Sequence, residues 1–307
     1  MSKSREWLDW VQLPTLRLLV ALSDAPSLSA AARSLGMAQP NASRAITTLE
    51  RRTGLGLLNR STRGAALTEI GHLMAAWAKE VVEAQERLAV GTDALSAAGK
   101  GELTVGASQT VAEHLAPIWI SRLNRVAPAV RIVLDMENSE RVIAGVVQGE
   151  YGIGFVESPG VPEHLHQVVI REDPLELVVA PAHPWAELGR RDGQVALAQL
   201  AETPLVTREP GSGTRAFADA ALAGFDRVPP LAELNSSSAI VRAVRAGAGP
   251  TLLSRLAVSE ELAAGRLVSV PIAEGPIRRS LRAVWSGPRQ LVGTAALLLE
   301  TVMQGEQ

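Results

Sequence analysis

Two groups of polar residues in this chain have the types and spacing to do chemistry. The first is the run Thr207-Arg208-Glu209-Pro210-Gly211-Ser212-Gly213-Thr214-Arg215. Gly211 and Gly213 let a backbone fold closely around a ligand, and Ser212 and Thr214 supply hydroxyls. Arg208 or Arg215 can balance a bound carboxylate, sulfate or phosphate, and Thr214 can open the helix that follows. The alternative is a tight turn in which Glu209 pairs with an arginine. Ser108-Gln109-Thr110 and Asn138-Ser139-Glu140 each follow an apolar run and add hydroxyl and amide groups. At the start of helices, their free backbone N–H groups would attract anions. Plain N-capping by Ser108 or Asn138 would need no ligand. Asn235 to Ser238 offers a further polar edge.

The second group lies between Ser27 and Gly54. Apolar residues fall at Leu28, Ala31, Ala32, Leu35 and Met37, then at Ala42, Ala45, Ile46 and Leu49. Steps of three and four match one face of a helix in each set. Ser27 suits the N-cap of the first helix, Gly36 its left-handed end, and Pro40 the first turn of the second. The spacing predicts two short helices joined by a tight turn, a helix-turn-helix. The outer side of the second helix would carry Gln39, Asn41, Ser43, Arg44, Thr47 and Thr48, short donors and acceptors that reach base edges and phosphates. Arg51 and Arg52 close that helix. Leu57 to Thr68 then reads as a two-stranded wing bearing Arg60 and Arg63. A helical hairpin inside a larger core is the alternative.

Charge separates the two regions. Residues 1–64 hold nine basic and four acidic side chains, an excess of +5, so the net charge of -2 leaves -7 for the remainder. A basic head on an acidic body is the footprint of a nucleic-acid-binding module joined to something else. With no cysteine among 307 residues, disulfides and thiolate chemistry are excluded. Ser212 fails the nucleophile elbow of a serine hydrolase because Pro210 takes the first glycine position. Gly99-Lys100 lacks the flanking residues of a P-loop. His164 and His166 are two apart in a proline-flanked loop, so no metal spacing is found. Glu260 and Glu261 are adjacent in a helix and point apart. No enzyme is expected, and no cofactor. Asp9 and Arg17 interrupt the apolar stretch near the N-terminus, so neither a membrane span nor an export signal is expected, and the reading is cytoplasmic.

These groups must be positioned by the elements around them. A first helix is expected over about Val11 to Ser23. Thr68 with Glu69 opens a long helix to about Ala97, in which Ile70, Trp77, Ala84 and Gly91 recur every seven residues beside Leu73, Val81, Leu88 and Leu95. Such a repeat suits pairing with a second chain, or equally packing on its own body. Ala98-Gly99-Lys100-Gly101 marks a boundary. Strands are then expected at Leu103–Gly106, Arg131–Met136 and Gly152–Val156, with helices Thr110–Val126 and Ser139–Gln148 between them. A second series runs through strands Leu175–Ala180, Leu205–Thr207, Ala232–Leu234 and Thr251–Leu253, with helices Thr214–Ala223 and Ser238–Ala246. Strands Val268–Ile272 and Leu281–Trp285 and a helix Val292–Met303 complete the chain. Alternation of this kind predicts α/β halves with parallel sheets, a bilobed sensor like the periplasmic binding proteins, and a ligand beyond the strands' carboxyl ends.

The pieces SLSAAARSLGMAQPNASRAITTLERRTG and LLNRSTRGAALTEIG resemble the LysR-type transcriptional regulators, and the resemblance extends over nearly the whole chain. It implies a winged helix-turn-helix over residues 1–67, a dimerising linker helix over 68–98 and an effector-binding domain over 99–307. The lobes would be about 101–168 with 270–307, and 169–269. Double-stranded operator DNA would meet Ser27, Arg33, Gln39, Pro40, Asn41, Ser43, Arg44, Thr47, Arg60 and Arg63. Ala38 stands where a serine is usual, and Leu58 where a phenylalanine is usual. The string REPGSGTR resembles the sulfur-assimilation and carbon-fixation branches, implying a small oxyanion or carboxylate effector at Ser108, Gln109, Thr110, Ser139, Thr207, Arg208, Gly211, Ser212, Gly213 and Thr214. A homotetramer built as a dimer of dimers, with RNA polymerase as a partner, follows from the same resemblance. A small-molecule sensor without a direct DNA role is the other reading.

Overall fold

The computed structural model describes residues 10–61, 64–98, 101–191 and 193–305. The chain divides into two compact units, Met1–Ala89 and Val90–Gln307.

In the first unit, α1 (Leu13–Asp24), α2 (Leu28–Ser34) and α3 (Gln39–Thr53) close around Leu18, Leu19, Ala31, Ala32, Ala42 and Ile46, all fully buried. Ser27 caps α2, its hydroxyl accepting the Ala30 N–H at 3.2 Å. Gly36 ends the turn with φ of 62°. Behind α3, β1 (Leu58–Ser61) and β2 (Gly64–Leu67) pair antiparallel, with Leu58 opposite Leu67. Glu50 fixes this wing to α3 by accepting the N–H groups of Leu57 and Leu58 at 2.8 and 3.0 Å. The helix α4 (Glu69–Ala98) has two apolar sides. Met74, Ala75 and Ala78 are buried in the core of this unit, while Ile70, Leu73, Trp77 and Val81 are exposed. No helix among the described residues is long and apolar enough to cross a membrane.

The second unit opens with β3 (Glu102–Ser108), α5 (Gln109–His114), α6 (Ala116–Val126), β4 (Arg131–Glu137), α7 (Ser139–Gln148), β5 (Ile153–Val156) and β6 (His166–Glu172). Then follow β7 (Leu175–Val179), α8 (Pro184–Arg190), α9 (Leu197–Ala201), β8 (Val206–Arg208), α10 (Gly213–Ala221), β9 (Ala232–Leu234), α11 (Ser237–Arg245), β10 (Thr251–Ser254), α12 (Arg255–Ala263) and β11 (Val268–Ser269). The chain returns through β12 (Ser280–Trp285) and α13 (Gly293–Gly305). One sheet has the order β4-β3-β5-β12-β6, with the first three strands parallel and β12 antiparallel to both neighbours. Its core is anchored by Trp119 against Phe155, ring centroids 5.0 Å apart. The other half holds β10-β7-β11 and the separate pair β8-β9.

Several expectations are corrected here. The helix expected over Thr110–Val126 breaks at Leu115, because Pro117 has no N–H to bond the carbonyl four residues back. His166 does not lie in a loop: it starts β6, and its Nε2 meets the Gly287 carbonyl at 2.9 Å. The second half is not a simple parallel series, since β10 and β11 both run antiparallel to β7. Strands β8 and β9 pair parallel there, and Val195 and Ile272 form an isolated parallel bridge. Strand β6 carries the first half to Glu172 rather than 168. Ile277 bridges to Leu175, so the second half extends past 269. Alternating apolarity reveals a strand but not its partner, which depends on contacts distant in sequence.

Candidate functional site

On the first unit, α3 presents Gln39, Pro40, Asn41, Arg44 and Thr47 to solvent, with Ser43 half-buried. The Arg44 side chain folds back along the helix: Nη2 donates to Asn41 Oδ1 at 2.9 Å and Nε to the Pro40 carbonyl at 3.4 Å. A guanidinium is thereby held near the helix N-terminus among short polar side chains, the arrangement that reads base edges in a major groove. At the other end, the Arg52 guanidinium lies 4.1 Å over the Trp10 ring. Arg33 is exposed on α2 and Arg60 lies on β1. Arg63 and the Gly99-Lys100 boundary lie outside the described residues.

In the second unit, the residues singled out for an effector meet where the two halves face each other. Ser108 ends β3, Ser139 begins α7 beyond β4, and the 207–214 run begins with β8 and ends in α10. Ser108, Gln109, Thr110, Ser139, Thr207, Arg208, Ser212 and Thr214 are all buried. Gln109 joins the halves: its Oε1 accepts the N–H and hydroxyl of Ser237 at 2.7 and 3.0 Å, and its Nε2 donates to the Asn235 carbonyl at 3.2 Å. Gly211 makes a second junction, its carbonyl accepting the Glu140 N–H at 3.2 Å. A β-carbon on Gly211 would stand 2.7 Å from Glu140 Oε2 and 3.0 Å from Asn138 Nδ2. One on Gly213 would overlap the Glu157 carbonyl. At these two glycines the loop packs against the strand ends with no space for a side chain.

Arg208 and Arg215, the alternatives for balancing an anionic effector, both have partners in the protein. Arg208 is held in a fork by both oxygens of Glu209 at 2.8 and 2.9 Å, and its Nη1 donates to Ser237 Oγ at 3.2 Å. Arg215 bonds Asp219, Thr207 and Glu233. Desolvation opposes the Arg215 charge, yet the bonds to Glu233 and Asp219 outweigh it and leave its pKa raised. Thr214 does not open α10, which starts at Gly213 with no side-chain cap; its hydroxyl instead accepts a bond from Arg279 at 2.8 Å.

Arg279 carries no sequence signal, since Arg278-Arg279 reads as a surface pair, yet its side chain is fully buried. It donates to Thr110 at 3.3 Å and Thr214 at 2.8 Å, and it pairs with Glu157 and Asp173. Ser254 supplies Asp173 with a further donor at 2.8 Å. Asn138 caps α7 by accepting the Arg141 N–H at 2.9 Å. The Ser108 side chain makes no such cap bond, and the hydroxyls of Ser108 and Ser139 are buried with no hydrogen-bond partner. Buried hydroxyls are ordinarily paired, so two free ones at adjacent strand ends point to a ligand. No cluster of three or more potential metal ligands occurs among the described residues.

Two family models match: a bacterial regulatory helix-turn-helix protein of the lysR family over residues 13–72, and a LysR substrate binding domain over 96–306. The chain belongs to the LysR family of transcriptional regulators. Membership makes it a DNA-binding regulator with an effector-binding domain, rather than an enzyme, whose partners are an operator and a small molecule. An HTH-type transcriptional regulator of Mycobacterium tuberculosis is 41% identical over 287 residues, covering 90% of this chain and 91% of its own. A probable RuBisCO transcriptional regulator of Emiliania huxleyi is 30% identical over 276 residues, covering 88% and 87%. The regulatory domain of CcmR from Synechocystis, in complex with 2-PG, shares the fold with a TM-score of 0.60 at 23% identity, covering 67% of this chain and 98% of that one.

Proposed function

We propose that this LysR-type regulator senses a small anion, an oxyanion or carboxylate, enclosed between the two α/β halves at Ser108 and Ser139. The observation that carries this reading is the pair of buried, partnerless hydroxyls at the ends of neighbouring strands. Each can donate to an anionic oxygen. The occurrence of 2-PG in the CcmR regulatory domain supports the same ligand class. Since Arg208 and Arg215 are already paired, neutral donors rather than a free cation would hold the anion. A thermal-shift screen of the full chain against phosphate, sulfate, thiosulfate and small carboxylates tests this. A ligand at 100 times its dissociation constant stabilises by about 2.7 kcal/mol. Ser139→Ala is expected to reduce the shift markedly while leaving the unliganded transition within about 1 kcal/mol, because the hydroxyl bonds nothing in the free protein. A flat screen sinks the anion site.

On DNA, α3 would enter the major groove with Gln39, Asn41, Arg44 and Thr47, and Arg33 and the wing would meet phosphates. Pairing of two chains through α4 would set two recognition helices on half-sites about 34 Å apart, one helical turn. Two such dimers would form a cytoplasmic tetramer whose arrangement, shifted by the effector, alters DNA bending or contact with RNA polymerase. Arg44→Ala is expected to weaken specific operator binding by about 10- to 200-fold, the loss of one good base contact of about 1–3 kcal/mol. Binding to random DNA should change little. Fluorescence anisotropy on both sequences at fixed salt checks this, and equal losses on both would make Arg44 a phosphate contact instead.

A further inference from the structure

Among the described residues, the buried side-chain atoms without a hydrogen-bond partner are Ser108 Oγ, Ser139 Oγ and Glu157 Oε2. They are not scattered. Ser108 ends β3, Glu157 follows β5 directly, and Ser139 lies two residues beyond β4, while β4, β3 and β5 are neighbouring parallel strands. The three groups therefore stand in a row along one edge of the sheet. The loop 211–213 lies over that row, Gly211 against Asn138 and Glu140, Gly213 against Glu157. The two hydroxyls can donate or accept, but an ionised carboxylate oxygen can only accept.

The charges nearby sharpen this asymmetry. Glu157 Oε1 lies 3.3 Å from Arg279 Nη1, and the same guanidinium serves Asp173. Two carboxylates thus share one cation where each side chain is no more than 2% exposed. The Ser254 hydroxyl donates a hydrogen bond to Asp173, whereas no described residue donates one to Glu157 Oε2. An anion brought into this row gains from the hydroxyls but meets an unpaired carboxylate oxygen.

Resting on the anion-sensing reading above, we propose that the effector brings a hydrogen-bond donor together with its charge. It gives an O–H or N–H to Glu157 Oε2 while Ser108 and Ser139 donate to its anionic oxygens. Sulfate, fully ionised, has no proton to offer and would set lone pair against lone pair. Hydrogen phosphate keeps a proton, and a hydroxy-carboxylate carries a hydroxyl, so both satisfy the whole row. Sites built to pair a ligand's donor reject the analogue lacking it by as much as about 10⁴-fold. Glu157 is on this basis a specificity-determining residue.

Titration calorimetry of the full chain at constant ionic strength tests the idea with two matched pairs, inorganic phosphate against sulfate and glycolate against acetate. Within each pair the charge is similar and the donor differs. Tighter binding of the donor-bearing member by about tenfold or more, in either pair, is the expected result, and the pair that shows it separates a protonated oxyanion from a hydroxylated carboxylate. Glu157→Gln replaces the lone acceptor with an amide that can also donate, and should reduce that ratio at least tenfold by admitting sulfate or acetate. Ser139→Ala should weaken both members and leave the ratio. Equal binding within both pairs by the unaltered protein overturns the proposal while the anion site stands, whatever the folding of the variants. Binding of none of the four overturns the anion site and this proposal with it.

Discussion

Arg279→Met is expected to lower the stability of the C-terminal unit by about 3–5 kcal/mol, because it strands two buried carboxylates. The guanidinium is fully buried, and among the described residues it is the cation paired with Asp173 and Glu157, while it also donates to Thr110 and Thr214. Methionine fills much of the volume but bonds none of the four partners. Urea unfolding followed by the fluorescence of Trp119, buried in the same unit, should show the midpoint falling sharply. Adding Asp173→Asn removes one of the stranded charges and should recover part of the loss, so the two changes are not additive. A loss below about 1 kcal/mol would mean that water reaches the cluster and solvates it, contrary to its burial.

That cluster also marks the limit of what the sequence discloses. The caps at Ser27 and Asn138, the glycine turn at Gly36 and the pairing of β1 with β2 are local, so residue type and spacing suffice to find them. The places of Ser108 and Ser139 beside strand ends are legible as well, since Ser108 closes β3 and Ser139 opens the helix after β4. Arg279 and its partners were not. Asp173 and Arg279 are separated by 106 positions and meet only because the chain passes between the halves at both places. Nothing near either residue signals burial. The pairing of Arg208 with Glu209 was visible as one of two options for a short loop, and only the folded geometry shows both carboxylate oxygens engaged.

Trp77→Glu should convert the protein to monomers at micromolar concentration and weaken operator binding by about 10²- to 10⁴-fold. The second figure is the effective concentration lost when two linked recognition helices become one. Trp77 is 65% exposed on α4, flanked on the same side by Ile70, Leu73 and Val81, which are exposed as well. Large aromatic anchors of this kind dominate association energies. The N-terminal unit itself should melt unchanged, because its core uses a different side of α4, that of Met74, Ala75 and Ala78. Ala78→Glu supplies the contrast: Ala78 is 4% exposed within that core, so a carboxylate there should unfold the unit. Light scattering with size-exclusion chromatography, and anisotropy on a two-half-site operator, separate the outcomes. A Trp77→Glu protein that remains dimeric would assign the stripe to another partner.

The loop carrying Gly211 and Gly213 has a consequence for time as well as for affinity. Its backbone lies so close to the strand ends that neither Gly211 nor Gly213 has room for a β-carbon, and it is tied there by the Glu140 N–H. A molecule resting on Ser108 and Ser139 would have no route past it while the halves stay together. Release is then paced by how often the halves part, a collective motion of microseconds to milliseconds or slower. Two effectors of equal affinity that differ in how far they brace the loop would keep the regulator engaged for different durations. A transcriptional response would in that case register how long a metabolite stays enclosed, not merely how much of it is present.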